Sequence, residues 1–115
     1  MHEISVAMSI IEIAEKESER RGGLQISAVY LRLGLLSGVV KDALLFAYEI
    51  ARHDTPLAAS QLVVEEVPGV IYCSTCDAQR PVDSLEWFCC SECGSLASEL
   101  VQGKEVEVVS LEVEQ

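Results

Sequence analysis

From Glu3 to about Arg21 the apolar residues Ile4, Ala7, Met8, Ile11 and Ala14 recur at three- and four-residue spacing, with Glu12, Glu15, Lys16 and Glu19 on the other side. That period predicts an amphipathic helix. Gly22-Gly23 follows where a left-handed residue is wanted, and Arg20 and Arg21 stand in the last turn, where cations suit the helix dipole. Ile26 to Gly34 is rich in β-branched and aromatic residues and alternates polar with apolar from Tyr30 onward, which predicts a strand with one wetter face, ended by a loop from Leu35 to Gly38. Helical spacing returns from Val39 to about Arg52 through Val40, Leu44, Ala47 and Tyr48, with Phe46 and Ile50 widening the apolar face. Thr55-Pro56 closes that segment, because the residue before proline avoids helical geometry.

Two more strands are expected, Gln61 to Tyr72 with a break at Pro68-Gly69, and Lys104 to Glu114, where Val106, Val108, Ser110 and Leu111 begin as an alternating pattern against Glu105 and Glu107. Between Cys73 and about Ser98 no period is sustained, and all five cysteines and the only Trp fall there. The expected fold is α+β: a small mixed sheet of about three strands with two helices, plus an inserted zinc-ribbon-like four-cysteine module. The expected domains are 1–70 together with 99–115, and an insert at 71–98.

A chain of 115 residues with half of them hydrophobic and 23% charged has material for one packed domain carrying a small insert. No apolar run approaches the ~18 residues of a membrane span, and Met1-His2-Glu3 lacks the basic start of a signal peptide, so the cytoplasm is the default location. Eight Lys and Arg against nineteen Asp and Glu give a net charge of −11, a field that repels phosphate backbones and attracts cations and basic protein surfaces. Neither nucleic acid nor membrane is expected as a partner. Residues 69–115 sharpen the point, with only Arg80 and Lys104 against nine acids, which sets this stretch apart from zinc ribbons that bind DNA or RNA.

Cys73-Ser74-Thr75-Cys76 and Cys90-Ser91-Glu92-Cys93 are two C-x2-C pairs separated by thirteen residues. Each pair puts two thiolates on one side of a tight turn, and two facing turns complete the tetrahedral four-thiolate shell that zinc prefers. The segment is too short to build its own core, so the metal would supply much of its folding free energy. Cys89 offers a competing register with Cys93. Gly94 favours Cys90 instead, since a glycine just after the second cysteine tolerates the positive φ such a turn often needs. Cys89 then reads as a small apolar residue beside Trp87 and Phe88, and four cysteines leave no open position for water, which makes the metal structural.

At the N-terminus, the α-amine of Met1, the amide nitrogen of His2 and its imidazole can close adjacent chelate rings around one ion, with the amide or side chain of Glu3 as a fourth donor. A planar nitrogen array suits Ni(II) or Cu(II). Taken alone, a second-position His is more often a plain surface residue. Together, however, Met1-His2-Glu3-Ile4-Ser5, Gly34, Leu44-Leu45-Phe46-Ala47-Tyr48-Glu49, Thr55 and the C-x2-C…C-x2-C-Gly pattern resemble the HypA/HybF family of hydrogenase maturation proteins over essentially the whole chain.

This resemblance implies a nickel metallochaperone, with His2, Met1 and Glu3 at the Ni2+ site and structural Zn2+ at Cys73, Cys76, Cys90 and Cys93. It also implies a HypB-type GTPase and the hydrogenase large-subunit precursor as partners, with delivery extending to the urease accessory system in some members. The sequence departs from the family pattern at Leu35, where an acidic residue usually follows the glycine, and at Ser91, where many members have proline.

Two other classes fit the residues. A zinc-ribbon adaptor that binds only protein would leave His2 irrelevant, and a thiol redox protein would cycle one cysteine pair. An enzyme is not expected, since there is one His besides His2, no Gly-rich phosphate loop and no evident nucleophile with its base. The Tyr48-Glu49 face is a candidate partner surface set against a core role for Tyr48, and His53, at the end of its helix, reads as structural.

Overall fold

The computed structural model describes residues 2–114. In chain order the elements are α1 (Glu3–Arg20), β1 (Ile26–Gly34), α2 (Lys41–Ala51), β2 (Gln61–Val67), β3 (Val70–Cys73), β4 (Ala78–Pro81), a short 3-10 turn at Leu85–Trp87, β5 (Glu99–Gln102) and β6 (Val106–Val113). The strands form two three-stranded sheets, ordered β2-β1-β6 and β4-β3-β5. The α+β class with two helices stands. The second sheet was not foreseen, because its four-residue strands are too short to show a period.

The chain divides into two compact units: residues up to Leu31 with Val39–Glu65 and those from Glu107 onward, and Arg32–Gly38 with Glu66–Val106. In the first unit α1 packs against α2. The buried face of α1 is Val6, Ala7, Ile10, Ile11 and Ala14. That corrects the expected stripe, since Ile4 and Met8 are exposed and Val6 and Ile10 take their places. The cause lies in the helix itself: with apolar residues at 4, 6, 7, 8, 10, 11, 13 and 14, two overlapping stripes satisfy the helical period equally well. In α2, Leu44, Ala47 and Tyr48 are buried, whereas Phe46 and Ile50 are exposed and do not widen the packed face. Gly22 and Gly23 have φ of +88° and +82°, and Gly23 donates to the Ser18 carbonyl, closing α1 where expected.

The second unit packs around Leu36, Ile71 and Val82, with Phe88, Ala97 and Leu100 against them. Leu36 comes from the segment expected to be a plain loop. Its backbone is zipped in by hydrogen bonds from Gly34 N–H to the Glu105 carbonyl (2.7 Å), Leu35 N–H to Val67 (2.9 Å) and Leu36 N–H to Gly103 (2.7 Å). A side chain at Gly34 would place its Cβ 2.0 Å from the Gly103 carbonyl oxygen, so only glycine fits there. The expected strand at 61–72 is indeed broken at Pro68-Gly69, and the break moves the chain from one sheet to the other.

Candidate metal centre

Cys73 ends β3 and Cys76 lies in the turn that leads into β4, so one knuckle is built on the β3–β4 hairpin. Asp77, at φ +51°, makes the reversal, and its carboxylate accepts a hydrogen bond from the Tyr72 hydroxyl, which holds the turn against the strand. The second knuckle sits in a smaller hairpin. Ala97 N–H donates to Phe88 (2.8 Å), Cys90 N–H to Ser95 (2.8 Å) and Gly94 N–H to Cys90 (3.0 Å), with Gly94 at φ +75°. That glycine occupies the left-handed position the sequence assigned to it. Ser98 N–H then donates to the Tyr72 carbonyl and ties the second hairpin back to β3.

The two turns bring the sulfurs of Cys73, Cys76, Cys90 and Cys93 within 4.8 Å of one another. Cys73 Sγ lies 3.6 Å from Cys93 Sγ, and Cys76 Sγ lies 3.9 Å from Cys90 Sγ. Zn–S bonds of ~2.3 Å in a tetrahedron put sulfurs about 3.8 Å apart, so the donor set and its spacing fit a four-thiolate zinc site. Backbone N–H groups point at the sulfurs, Cys76 N–H at Cys73 Sγ and Glu92 N–H at Cys90 Sγ, both at 3.4 Å. Such donors favour the charged thiolate that binds metal. Cys90 is accordingly pulled down to about 6, first by the backbone N–H of Cys93 and then by that of Glu92. Cys76 is pushed up to about 11, chiefly by its hydrogen bond with Cys93. Cys93 is lowered by the hydroxyl and backbone N–H of Ser95.

Cys89 stands apart from the four. It makes an isolated bridge with Leu96 across the second hairpin, and all five cysteines are free thiols. Among the described residues, the four cysteines are the group of three or more His, Cys, Asp and Glu side chains placed to hold an ion.

At the N-terminal end, His2 is exposed and caps α1 in extended geometry, its carbonyl accepting from Ser5 N–H (3.1 Å) and Val6 N–H (3.2 Å). Glu3 begins the helix, and its carboxylate accepts from the Val40 backbone N–H at 3.2 Å, a link to the start of α2 that no local sequence signal carries. Met1, the third member of the expected set, lies outside the described residues. Of the other candidates, Tyr48 is buried and cannot face a partner, and His53 is exposed beside Asp54. Leu35, where the family pattern has an acid, is also exposed.

No helix among the described residues is long and apolar enough to cross a membrane. The family model described as "Hydrogenase/urease nickel incorporation, metallochaperone, hypA" matches residues 1–113. A hydrogenase maturation factor HypA of Roseiflexus sp. (strain RS-1) is 44% identical over 114 residues, covering 99% of this chain and 93% of the relative. One from Geobacter metallireducens is 42% identical, covering 99% of this chain and all of the relative. The solution structure of the Ni metallochaperone HypA from Helicobacter pylori superposes with a TM-score of 0.69 at 25% identity, covering 98% of this chain and 97% of that one.

Proposed function

Because the chain belongs to the HypA family of hydrogenase and urease nickel-incorporation metallochaperones, we propose that it binds Ni(II) at its amino terminus and hands it to a hydrogenase large-subunit precursor during maturation. The nickel donors are His2, the Met1 amine and Glu3, and Cys73, Cys76, Cys90 and Cys93 hold a structural zinc. In this reading 1–70 with 99–115 is the nickel-binding domain and 71–98 the zinc-binding domain. The protein works in the cytoplasm, where thiols stay reduced.

The observation that carries the nickel site is the placement of His2. It is exposed and precedes the first helical residue, so its amide lies where helix N–H groups have no intrahelical acceptor, and surrendering that proton to a metal breaks no helical bond. The Glu3 carboxylate is engaged with the Val40 amide, and the amide or side chain of Glu3 supplies the fourth donor. Nitrogen donors in a planar array suit Ni(II), and the four-sulfur pocket suits zinc, so the two metals are sorted by donor type and geometry. Delivery is by ligand exchange, without turnover. A HypB-type GTPase and the large-subunit precursor are the partners, with the urease accessory system as a further recipient in some members, and the net charge of −11 suits a basic docking surface.

Nickel titration by calorimetry on untagged protein with its authentic N-terminus tests this, with zinc quantified alongside. One nickel per chain is expected, abolished in His2→Ala with zinc content unchanged. The imidazole must be neutral and an amide must ionise, so nickel affinity rises between about pH 5 and 8. Zinc present with no specific nickel uptake, or a nickel affinity flat across that range, overturns the reading and leaves a protein-binding module of the same fold.

A further inference from the structure

Arg80 is the only Lys or Arg between Arg52 and Lys104, and it follows Cys76 by four residues. In the antiparallel β3–β4 pair Ile71 faces Arg80 and Cys73 faces Ala78. Opposed residues, and residues two apart, project from the same face of a sheet, so Arg80 leaves the sheet on the side of Ile71 and Cys73, while Tyr72 and Gln79 share the other. Ile71 and Cys73 are fully buried. The Arg80 Nε is buried as well and has no hydrogen-bond partner among the described residues. That face carries the four-sulfur centre, since the Cys73 sulfur lies within 4.8 Å of those of Cys76, Cys90 and Cys93, and the positive charge of Arg80 favours the thiolate forms of Cys90 and Cys76.

A buried N–H without an acceptor is costly, and so is a half-buried charge without a counter-charge. Four thiolates around a divalent ion leave a net charge of about −2. We propose that Arg80 is a positioning residue for the metal centre, its guanidinium donating to the Cys76 and Cys90 thiolates from the shared face of the β3–β4 hairpin. The planar fork suits two acceptors at once, which a lysine cannot reproduce. Donation into the sulfur lone pairs offsets the charge of the loaded site and makes the thiolates poorer nucleophiles. The zinc is thereby kept inert in a protein whose cargo is a competing divalent metal. This inference rests on the four-thiolate zinc reading above.

Full-length protein carrying Arg80→Met, Arg80→Lys or Gln79→Ala is compared with wild type in zinc competition against a chromogenic chelator and in iodoacetamide alkylation of the zinc-loaded form. Outer-sphere partners of metal ligands typically contribute ten- to a hundredfold in affinity. Arg80→Met, which keeps the apolar stem and loses the donors, is expected to bind zinc weaker by about that factor and to alkylate faster. Arg80→Lys falls between, and Gln79→Ala, on the opposite face, matches wild type. The cobalt(II) charge-transfer spectrum, unchanged in intensity, shows that four sulfurs still ligate. Wild-type affinity and alkylation rate in Arg80→Met overturn the inference. If that variant fails to fold, Arg80→Lys decides: weakened zinc supports the proposal and wild-type zinc overturns it. A wild-type chain that takes up no zinc sinks the zinc reading itself, an outcome distinct from a loaded wild type with a silent Arg80→Met.

Discussion

Ser60 is fully buried, yet its hydroxyl is fully used. It donates to the Leu57 carbonyl (2.6 Å) and shares a 2.6 Å hydrogen bond with the Tyr48 hydroxyl, while Arg52 donates to its carbonyl. Thr55 extends the same knot, its hydroxyl donating to the Arg52 carbonyl and accepting from Leu57 N–H. Tyr48 and Ser60 thus pair with each other while Arg52, Thr55 and Ser60 tie down backbone groups of the same turn, and burial pushes the Tyr48 phenol up. Replacing Ser60 by alanine leaves the buried Tyr48 hydroxyl without this partner, a loss of about 1–3 kcal/mol. A urea midpoint lowered accordingly is the expected result, with a Tyr48→Phe,Ser60→Ala double variant recovering part of it. Sequence alone suggested that Tyr48 was either core or a docking residue. Nothing local distinguishes the two, because the hydroxyl's partner lies twelve residues away.

At the scale of elements, the start of α1 is tied to the start of α2 by the Glu3 carboxylate and the Val40 amide. That hydrogen bond, followed by the one from Glu3's own N–H, lowers the Glu3 pKa from 4.5. A carboxyl whose folded pKa is depressed stabilises the folded state above its unfolded pKa and loses that contribution as pH falls through the folded pKa. The tie therefore holds at neutral pH and opens on acidification below about 4.5. The Val40 amide proton, followed by NMR, is expected to titrate with a midpoint below that value, and Glu3→Gln is expected to leave it unmoved. A Val40 amide insensitive to Glu3→Gln would show that the tie is not made in solution. Helix existence and ends follow from local spacing and from Gly22-Gly23, but the orientation of α1 does not. Its eight apolar positions offer two stripes, and tertiary packing, α2 included, selects one.

For the whole molecule, the four-sulfur centre lies in a unit whose core is small. Leu36, Ile71 and Val82 are its buried cluster, and its strands are four residues long. Metal binding in such a unit is folding free energy. Trp87, the only Trp of the chain, lies between the two cysteine pairs and reports on this unit, whereas both helices belong to the other. Removing the metal of the four-cysteine site with a strong chelator is expected to change the Trp87 emission and to abolish the amide protection of Cys90 and Ala97, while the far-ultraviolet helical signal persists. Simultaneous loss of both signals would mean that the metal supports the whole chain.

The residue types and spacings by themselves determined the class of the fold, both helices, the break at Pro68-Gly69 and the metal-ready pattern of Cys73, Cys76, Cys90 and Cys93, because each rests on a period or a turn within about twenty residues. Only the tertiary structure decided which way α1 faces, that β3 joins a second sheet with β4 and β5, and that Leu36, more than thirty residues from the first cysteine, packs in the unit that carries the cysteines. It also decided that Arg80 shares a sheet face with Cys73 and that Glu3 reaches Val40. These are pairings between segments distant in sequence, chosen by complementary surfaces and by backbone hydrogen bonds that close only when the segments meet, so no local pattern encodes them.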